Sequence, residues 1–207
     1  MNPSKMNDEN ISPKQGLEII RQSITGRDNL TFKDKISPNL KGYRQAAVLV
    51  PFVNLDYGLA ICLTERSRQV EHHKGQIAFP GGMVEKFDQS PADTAIRETF
   101  EEIGIPQHDI EIIGRIDEVY SVSGYLIHPV VAEIKSLRFL KINPNEVKDV
   151  FFLPVEWLME SVNRYQDDFV DNNGVNRKVW FFSEYHGKII WGITASILVQ
   201  LIRVIEK

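Results

Sequence analysis

Residues 80–105 (PGGMVEKFDQSPADTAIRETFEEIGI) constrain this chain more than any other stretch. The Pro80-Gly81-Gly82 turn has no side chain at two consecutive positions, so its backbone can approach another group closely. Ser90-Pro91-Ala92-Asp93 reads as a helix start, with serine as N-cap, proline at the first helical position and an acid three residues after the cap. Gly104 is a natural stop. The pattern predicts a helix over 91–103 that carries Glu98, Glu101 and Glu102. At about 100° per residue, Glu101 falls about 60° to one side of Glu98 and Glu102 about 40° to the other, so the three carboxylates share one arc. Ala92, Ile96, Thr99, Phe100 and Ile103 fall on the opposite arc and are expected to pack on a sheet.

Like charges three and four residues apart cost a helix roughly 0.2–0.5 kcal/mol per pair, and no lysine is interspersed to relieve them. A solvated acidic face would tolerate that cost. A hard divalent cation would remove it, because Mg²⁺ takes oxygen ligands and bridges to substrate phosphates. Two features favour the cation. The helix follows directly on the glycine turn, and Arg97 precedes the first glutamate, where it can orient a carboxylate by a charge-assisted hydrogen bond.

The rest of the chain supplies a sheet for this helix. Residues 46–53 and 59–64 are strand-like runs around an Asn/Asp/Gly-containing turn, which suggests a hairpin. Further strands are expected at 76–79, 110–120, 126–134 and 147–152. A helix is expected at 154–162, a polar loop at 163–176, and a hairpin of 179–185 with 188–191 around His186-Gly187. The chain closes with an apolar helix from 194 to about 205. Ahead of the sheet, Ser12-Pro13 reads as the start of a short amphipathic helix ending at Gly26, after a polar tail and before a long polar connection over 26–44. This order argues for α+β or a helix–sheet–helix sandwich, not an alternating parallel fold.

Composition narrows the function classes. A net charge of −4 lacks the basic excess of a nucleic-acid-binding surface, so no nucleic-acid partner is expected, while a local cluster can still hold a small phosphorylated ligand. The single cysteine, Cys62, lies in an apolar run and reads as a buried small hydrophobe. No run of 18 apolar residues and no secretory h-region is present, so the reading is of a cytoplasmic protein with no membrane partner.

The stretch from Gly82 to Ile105 resembles the Nudix box, whose pattern is Gly, five residues, Glu, seven residues, then Arg-Glu-apolar-x-Glu-Glu-x-Gly-apolar. Arg97-Glu98, Glu101-Glu102, Gly104 and Ile105 match in register. Asp88 stands where the box has Glu, eight residues rather than seven separate it from Arg97, and Thr99 fills the usually apolar place. The resemblance implies the Nudix fold, of the α/β (α+β) class. It is an α/β/α sandwich with a mixed β-sheet between the box helix and a C-terminal helix, here over 41–207, with residues 1–40 as an N-terminal extension carrying a short helix. It also implies that Glu98, Glu101 and Glu102 bind Mg²⁺ or Mn²⁺ and, with Arg97, carry catalysis, as water attacks a phosphorus of a P–O–P linkage. Glu118, beside a Ser-Val-Ser-Gly turn, is a candidate general base and equally an exposed strand-end carboxylate.

Upstream, Leu63-Thr64-Glu65-Arg66-Ser67 and Gly75-Gln76-Ile77-Ala78-Phe79-Pro80-Gly81-Gly82 resemble the signature of the coenzyme A pyrophosphatase branch. Trp191-Gly192-Ile193-Thr194-Ala195 is similar to that branch as well. Cys62 replaces a leucine of the signature and Glu71 an arginine; Arg68, His72, His73 and Lys74 can supply the missing positive charge. The resemblance implies a CoA-like small-molecule nucleotide partner, hydrolysed to 4′-phosphopantetheine and 3′,5′-ADP, with Arg66, Lys74, Gly81 and Gly82 as substrate contacts. Some members of the family form homodimers. The rival readings are a Nudix enzyme for ADP-ribose, a nucleotide sugar or a nucleoside triphosphate, and a non-catalytic Nudix-fold binding module.

Overall fold

The two apolar runs at 46–53 and 59–64 become the centre of a sheet, because both of their faces are covered. A computed structural model describes residues 13–25, 42–67, 75–170 and 174–207. Strands β1 (Arg44–Leu55) and β2 (Gly58–Arg66) form an antiparallel hairpin that closes at Leu55↔Gly58. β1 also runs parallel to β7 (Tyr125–Ile134), from Arg44↔Tyr125 to Val53↔Ile134. β5 (Ile110–Arg115) and β6 (Val119–Tyr120) are antiparallel to β7, while β3 (Ile77–Ala78) and β8 (Val147–Pro154) are antiparallel to β2. β4 (Gly81–Met83) pairs with β1. The sheet is therefore mixed. Val50 and Phe52 of β1 point into one core, Ala47 and Leu49 into another, which is why the strand reads as an almost unbroken apolar run.

On one face lie α1 (Pro13–Thr25) and α4 (Gly192–Ile205). Ile197, Leu198, Leu201 and Ile202 of α4 are buried there with Val50, Phe52, Ile61 and Leu63, each contributing about 1.5–3 kcal/mol by burial. α1 adds Leu17, Ile20 and Ile24 to the same core. Its Arg21 bonds Glu133 at 2.7 Å and Glu111 at 2.8 Å. On the opposite face lies α2 (Pro91–Ile103), whose Ala95 packs on a thin layer of Ala47, Leu49, Val130 and Ala132. The architecture is the expected α/β/α sandwich. Cys62 is buried beneath the end of α2, and burial pushes its thiol up to about 12. Among the described residues, no helix is long and apolar enough to cross a membrane.

Several expectations are corrected. The helix at 154–162 shrinks to α3 (Val155–Met159) and a separate 3-10 turn, Ser161–Asn163, because the Asn163 side chain donates to the Trp157 carbonyl at 2.8 Å and closes the helix early. The polar loop at 163–176 is largely strand. β9 (Arg164–Val170) pairs with β10 (Asn176–Phe182) in a second, two-stranded sheet. Its polar residues are solvent-facing, while Tyr165 stacks on Phe181 and Phe169 packs on Trp191. These partners, one across the strand pair and one beyond it, are invisible to local composition. The expected hairpin of 179–185 with 188–191 survives only as isolated bridges at Tyr185↔Lys188 and Phe181↔Trp191. The run at 110–120 is split into β5 and β6. Phe100, expected to pack on the sheet, is 56% exposed, and Glu102 lies inside in its place at 2%. The side of α2 facing the sheet is Thr94, Ala95, Thr99, Glu102 and Ile103. Small residues there let the helix sit close to β1, and that rotation carries Glu102 inward. The polar tail, most of the connection over 26–44, and the loop bearing Arg68, Glu71, His72, His73 and Lys74 lie outside the described residues.

Candidate active site

The site is built at the junction of β4 and α2. At the start of α2, Ser90 Oγ accepts from the Asp93 amide at 3.2 Å, and Asp93 accepts from the Gln89 amide at 3.1 Å. At its end, Gly104 adopts φ 74° and donates to the Phe100 carbonyl at 2.9 Å. A helix terminus leaves its last carbonyls without partners. Here the segment after β7 supplies them: Lys141 N–H donates to the Ile103 carbonyl and Asn143 N–H to the Glu102 carbonyl, both at 2.9 Å. A Cβ on Gly104 would lie 3.0 Å from the Phe139 carbonyl, so the glycine is what lets that segment approach.

β4 lies against β1 as tightly as glycine permits. A Cβ on Gly81 would be 2.4 Å from the Ala47 carbonyl, and one on Gly82 would be 2.4 Å from the Glu98 carboxylate. The double glycine thus places the Glu98 carboxylate directly over the strand.

Arg97 is the organiser of the helix face. Its Nη1 donates to Glu98 Oε1 at 2.7 Å and Glu101 Oε2 at 3.1 Å. Nε and Nη2 donate to the two oxygens of Asp88 at 3.1 and 2.9 Å, and Nη2 also to the Met83 carbonyl at 3.1 Å. These contacts use all five N–H groups of a guanidinium. Asp88 also accepts from the Glu85 amide and Thr94 Oγ1, each at 2.8 Å. Burial raises the Asp88 carboxyl, but the hydrogen bonds from Arg97, Glu85 and Thr94 outweigh it and hold the group below the usual range. The shorter Asp in a loop one residue longer therefore still locks the loop to the helix.

Glu98, Glu102 and Glu146 converge, with one carboxylate oxygen of each within 4.8 Å of the others. Burial is the main reason the Glu98 carboxyl is raised, with Arg97 opposing. Burial also pushes Glu102 up to about 8; the Arg66 charge and the Gly81 amide oppose it, while Glu98 and Glu146 add repulsion. Glu102 Oε2 is buried and has no hydrogen-bond partner among the described residues. Three converging carboxylates, one with an orphaned buried oxygen, are unfavourable in the ionised form without a cation. They are the hard-oxygen donor set that Mg²⁺ or Mn²⁺ takes, so these residues fit such an ion.

Not every sequence candidate joins the cluster. Glu101 is on the solvent side, its side chain 48% exposed and paired with Arg97. Arg66 Nη1 lies 3.6 Å from Glu102 Oε1, at the cluster's edge. Gly81 and Gly82 form the floor, and Lys74 is outside the described residues. Glu118 faces His128 Nδ1 at 3.4 Å, outside the carboxylate group. Burial lowers the His128 imidazole, whose Nε2 contacts Gln45 Oε1 at 2.6 Å. Glu146 was not found by sequence reasoning. Only the turn-forming Asn143-Pro144 just before it hinted at a fixed position, and many acids in the chain follow turns.

Beside Arg66, Glu65 is held between two lysines. Lys188 Nζ donates to Glu65 Oε2 and Asp149 Oδ2, each at 2.8 Å, and Lys148 Nζ to Glu65 Oε1 at 2.5 Å. Burial raises Glu65, but the lysine bonds prevail and its carboxyl is lowered; burial lowers Lys188, but Asp149 and Glu65 prevail and it is raised. Lys188→Met is expected to cost about 1–2 kcal/mol at neutral pH. A depressed carboxyl contributes stability that is present above its unfolded value and lost as pH falls through its folded one. The wild-type advantage in urea melts should therefore narrow as pH drops below the usual glutamate range. A gap that widens on acidification would refute the assignment.

The family model of the NUDIX domain matches residues 43–173, a span that contains every residue of the carboxylate cluster. A protein of Enterobacter sp. (strain 638) named "Uncharacterized Nudix hydrolase NudL" is 36% identical over 169 residues, covering 82% of this chain and 86% of its own. One of the same name from Citrobacter koseri is 36% identical over 183 residues, covering 86% and 94%. Among solved structures, a C. elegans Ap4A hydrolase binary complex aligns with TM-score 0.47 and 19% identity, over 54% of this chain and 80% of that one. The Nudix hydrolase RenU of M. smegmatis aligns with TM-score 0.47 and 22% identity, over 56% and 73%. With the box helix, its glycine floor and a family match across more than half its length, the chain belongs to the Nudix hydrolases, a family of pyrophosphatase-type enzymes that generally use divalent metal ions.

Proposed function

We propose that this chain is a Mg²⁺- or Mn²⁺-dependent diphosphohydrolase that cleaves coenzyme A or an acyl-CoA to 4′-phosphopantetheine and 3′,5′-ADP. The observation that carries the hydrolytic part is the orphaned Glu102 oxygen buried between Glu98 and Glu146. Glu98, Glu102 and Glu146 would hold the cation, with Glu101 as a further carboxylate on the solvent side. When bound, the cation neutralises phosphate oxygens and lowers the pKa of an attacking water. Arg97 keeps the Glu98 and Glu101 carboxylates aimed. Arg66, Lys74 and the backbone of Gly81 and Gly82 contact the pyrophosphate. Water forms a new bond to one phosphorus, the bridging P–O bond breaks, and the bridging oxygen leaves on the other phosphate. The water proton passes to a carboxylate of the site.

The CoA reading rests on the signature around Arg66 and Phe79-Pro80-Gly81-Gly82, of which Arg66, Gly81 and Gly82 border the carboxylates. Glu71, an anion where the signature has arginine, favours a second reading: a Nudix pyrophosphatase for ADP-ribose, a nucleotide sugar or a nucleoside triphosphate. The domain on this proposal spans 41–207, with α1 buttressing it from the N-terminal extension, and works in the cytoplasm as a monomer or homodimer. The test is a substrate panel of CoA, ADP-ribose, NADH, diadenosine polyphosphates and nucleoside triphosphates with Mg²⁺ or Mn²⁺, products identified by mass. Dominant release of 4′-phosphopantetheine from CoA is expected. Faster turnover of another compound would discard CoA, and silence across the panel would favour a non-catalytic binding module.

A further inference from the structure

The Glu146 carboxylate does not come from α2, yet it must meet Glu98 and Glu102 within a few ångströms. One residue bridges the two. Asn143 N–H donates to the Glu102 carbonyl at 2.9 Å, and Asn143 Nδ2 donates to Glu146 Oε1 at 3.1 Å. Its Oδ1 accepts from the Asn145 amide at 3.2 Å, and its carbonyl accepts from the Glu146 and Val147 amides at 3.1 and 2.9 Å. The side-chain amide has no freedom to flip, since the Asn145 amide requires an acceptor and the Glu146 carboxylate a donor.

From this geometry we infer that Asn143 is a positioning residue for the cation site, fixing the Glu146 carboxylate relative to the last turn of α2 by holding one of its two oxygens. This rests on the carboxylate site of the proposed function and adds a residue outside the glutamate set. The bond to Oε1 takes up part of the carboxylate's rotational freedom before an ion binds. Partners that orient a ligand in this way are worth about 10–100-fold in metal affinity. The main-chain bonds of Asn143 survive its replacement by alanine, so the helix end stays docked. The side-chain bonds to Glu146 and to the Asn145 amide are cut, and N143D keeps the second of these.

The experiment is Mn²⁺ binding, followed by electron paramagnetic resonance and calorimetry, for wild type, N143A, N143D, E146A and the double variant N143A/E146A. N143D keeps the acceptor for the Asn145 amide but puts an anion where the donor was. Both Asn143 variants should bind Mn²⁺ about tenfold more weakly, with metal-free melting temperatures close to wild type. Hydrolysis should recover toward the wild-type rate at saturating Mn²⁺. Because Asn143 acts through Glu146, N143A/E146A should bind no more weakly than E146A alone. Wild-type affinity in N143A and N143D, or a double variant weaker than E146A by the full N143A factor, would overturn the role. E98Q and E102Q are the controls. If they too bind like wild type, or wild type binds no Mn²⁺, the carboxylate site itself fails. If they lose binding while N143A and N143D do not, only the role of Asn143 fails.

Discussion

Glu102→Gln should lower metal-dependent hydrolysis by more than about a hundred-fold, beyond the loss that outer partners of a metal site produce, while leaving the fold intact. The residue is 2% exposed, with one oxygen unpartnered among the described residues. Its contacts are the Gly81 amide, from which a glutamine carbonyl can still accept, and Arg66 at 3.6 Å, a long and partly exposed ion pair. The amide is close to isosteric, and it cannot take on the charge that burial, Glu98 and Glu146 disfavour at this position. The metal-free variant should melt at or above the wild-type temperature. Turnover and thermal melts on the same preparation check both halves. Unchanged hydrolysis would remove Glu102 from the site. A collapsed melting temperature would mean that its role is architectural.

Gly81→Ala and Gly82→Ala should fail in opposite ways although they are neighbours. At Gly81 the added methyl meets the backbone of β1: the Ala47 carbonyl at 2.4 Å and Val48 Cα at 2.7 Å. Backbone cannot step aside without breaking the β1–β4 pairing, so overpacking should cost about 2–3 kcal/mol or more, a fall of roughly 4–12 °C in melting temperature for a chain this size. At Gly82 the three atoms nearest the methyl all belong to the Glu98 carboxylate, the far end of a side chain. That side chain can rotate away, and in doing so it leaves the cluster and its bond to Arg97. The melting temperature should hardly move, while activity drops about a hundred-fold, the cost of displacing a working group by about an ångström. Equal effects on stability at the two positions would contradict the geometry.

The helix of the site was legible because its signals are local. Ser90, Pro91, Asp93 and Gly104 act within a turn of the helix they bound, and the expected span of 91–103 is the one observed. The mixed sheet and the closing helix were legible from runs of apolar residues, since burial on both faces leaves a pattern in the chain itself. The strand at Arg164–Val170 was not, because its polar sequence is held by pairing with β10 and by aromatic contacts to Phe181 and Trp191.

By itself, the sequence determined which glutamates share a helix face, where that helix starts and stops, and that a glycine turn precedes it. These follow from backbone geometry and from groups a few residues apart. Tertiary structure decided how that face is divided. Packing α2 closely on β1 through Thr94, Ala95 and Thr99 turns Glu102 inward and leaves Glu101 and Phe100 outside. Docking of the 139–143 segment against Gly104 then brings in Glu146, a carboxylate from a distant part of the chain. Helical periodicity sets the angles between side chains, but only a neighbour can set which angle is buried, and the neighbours here lie on other strands and loops.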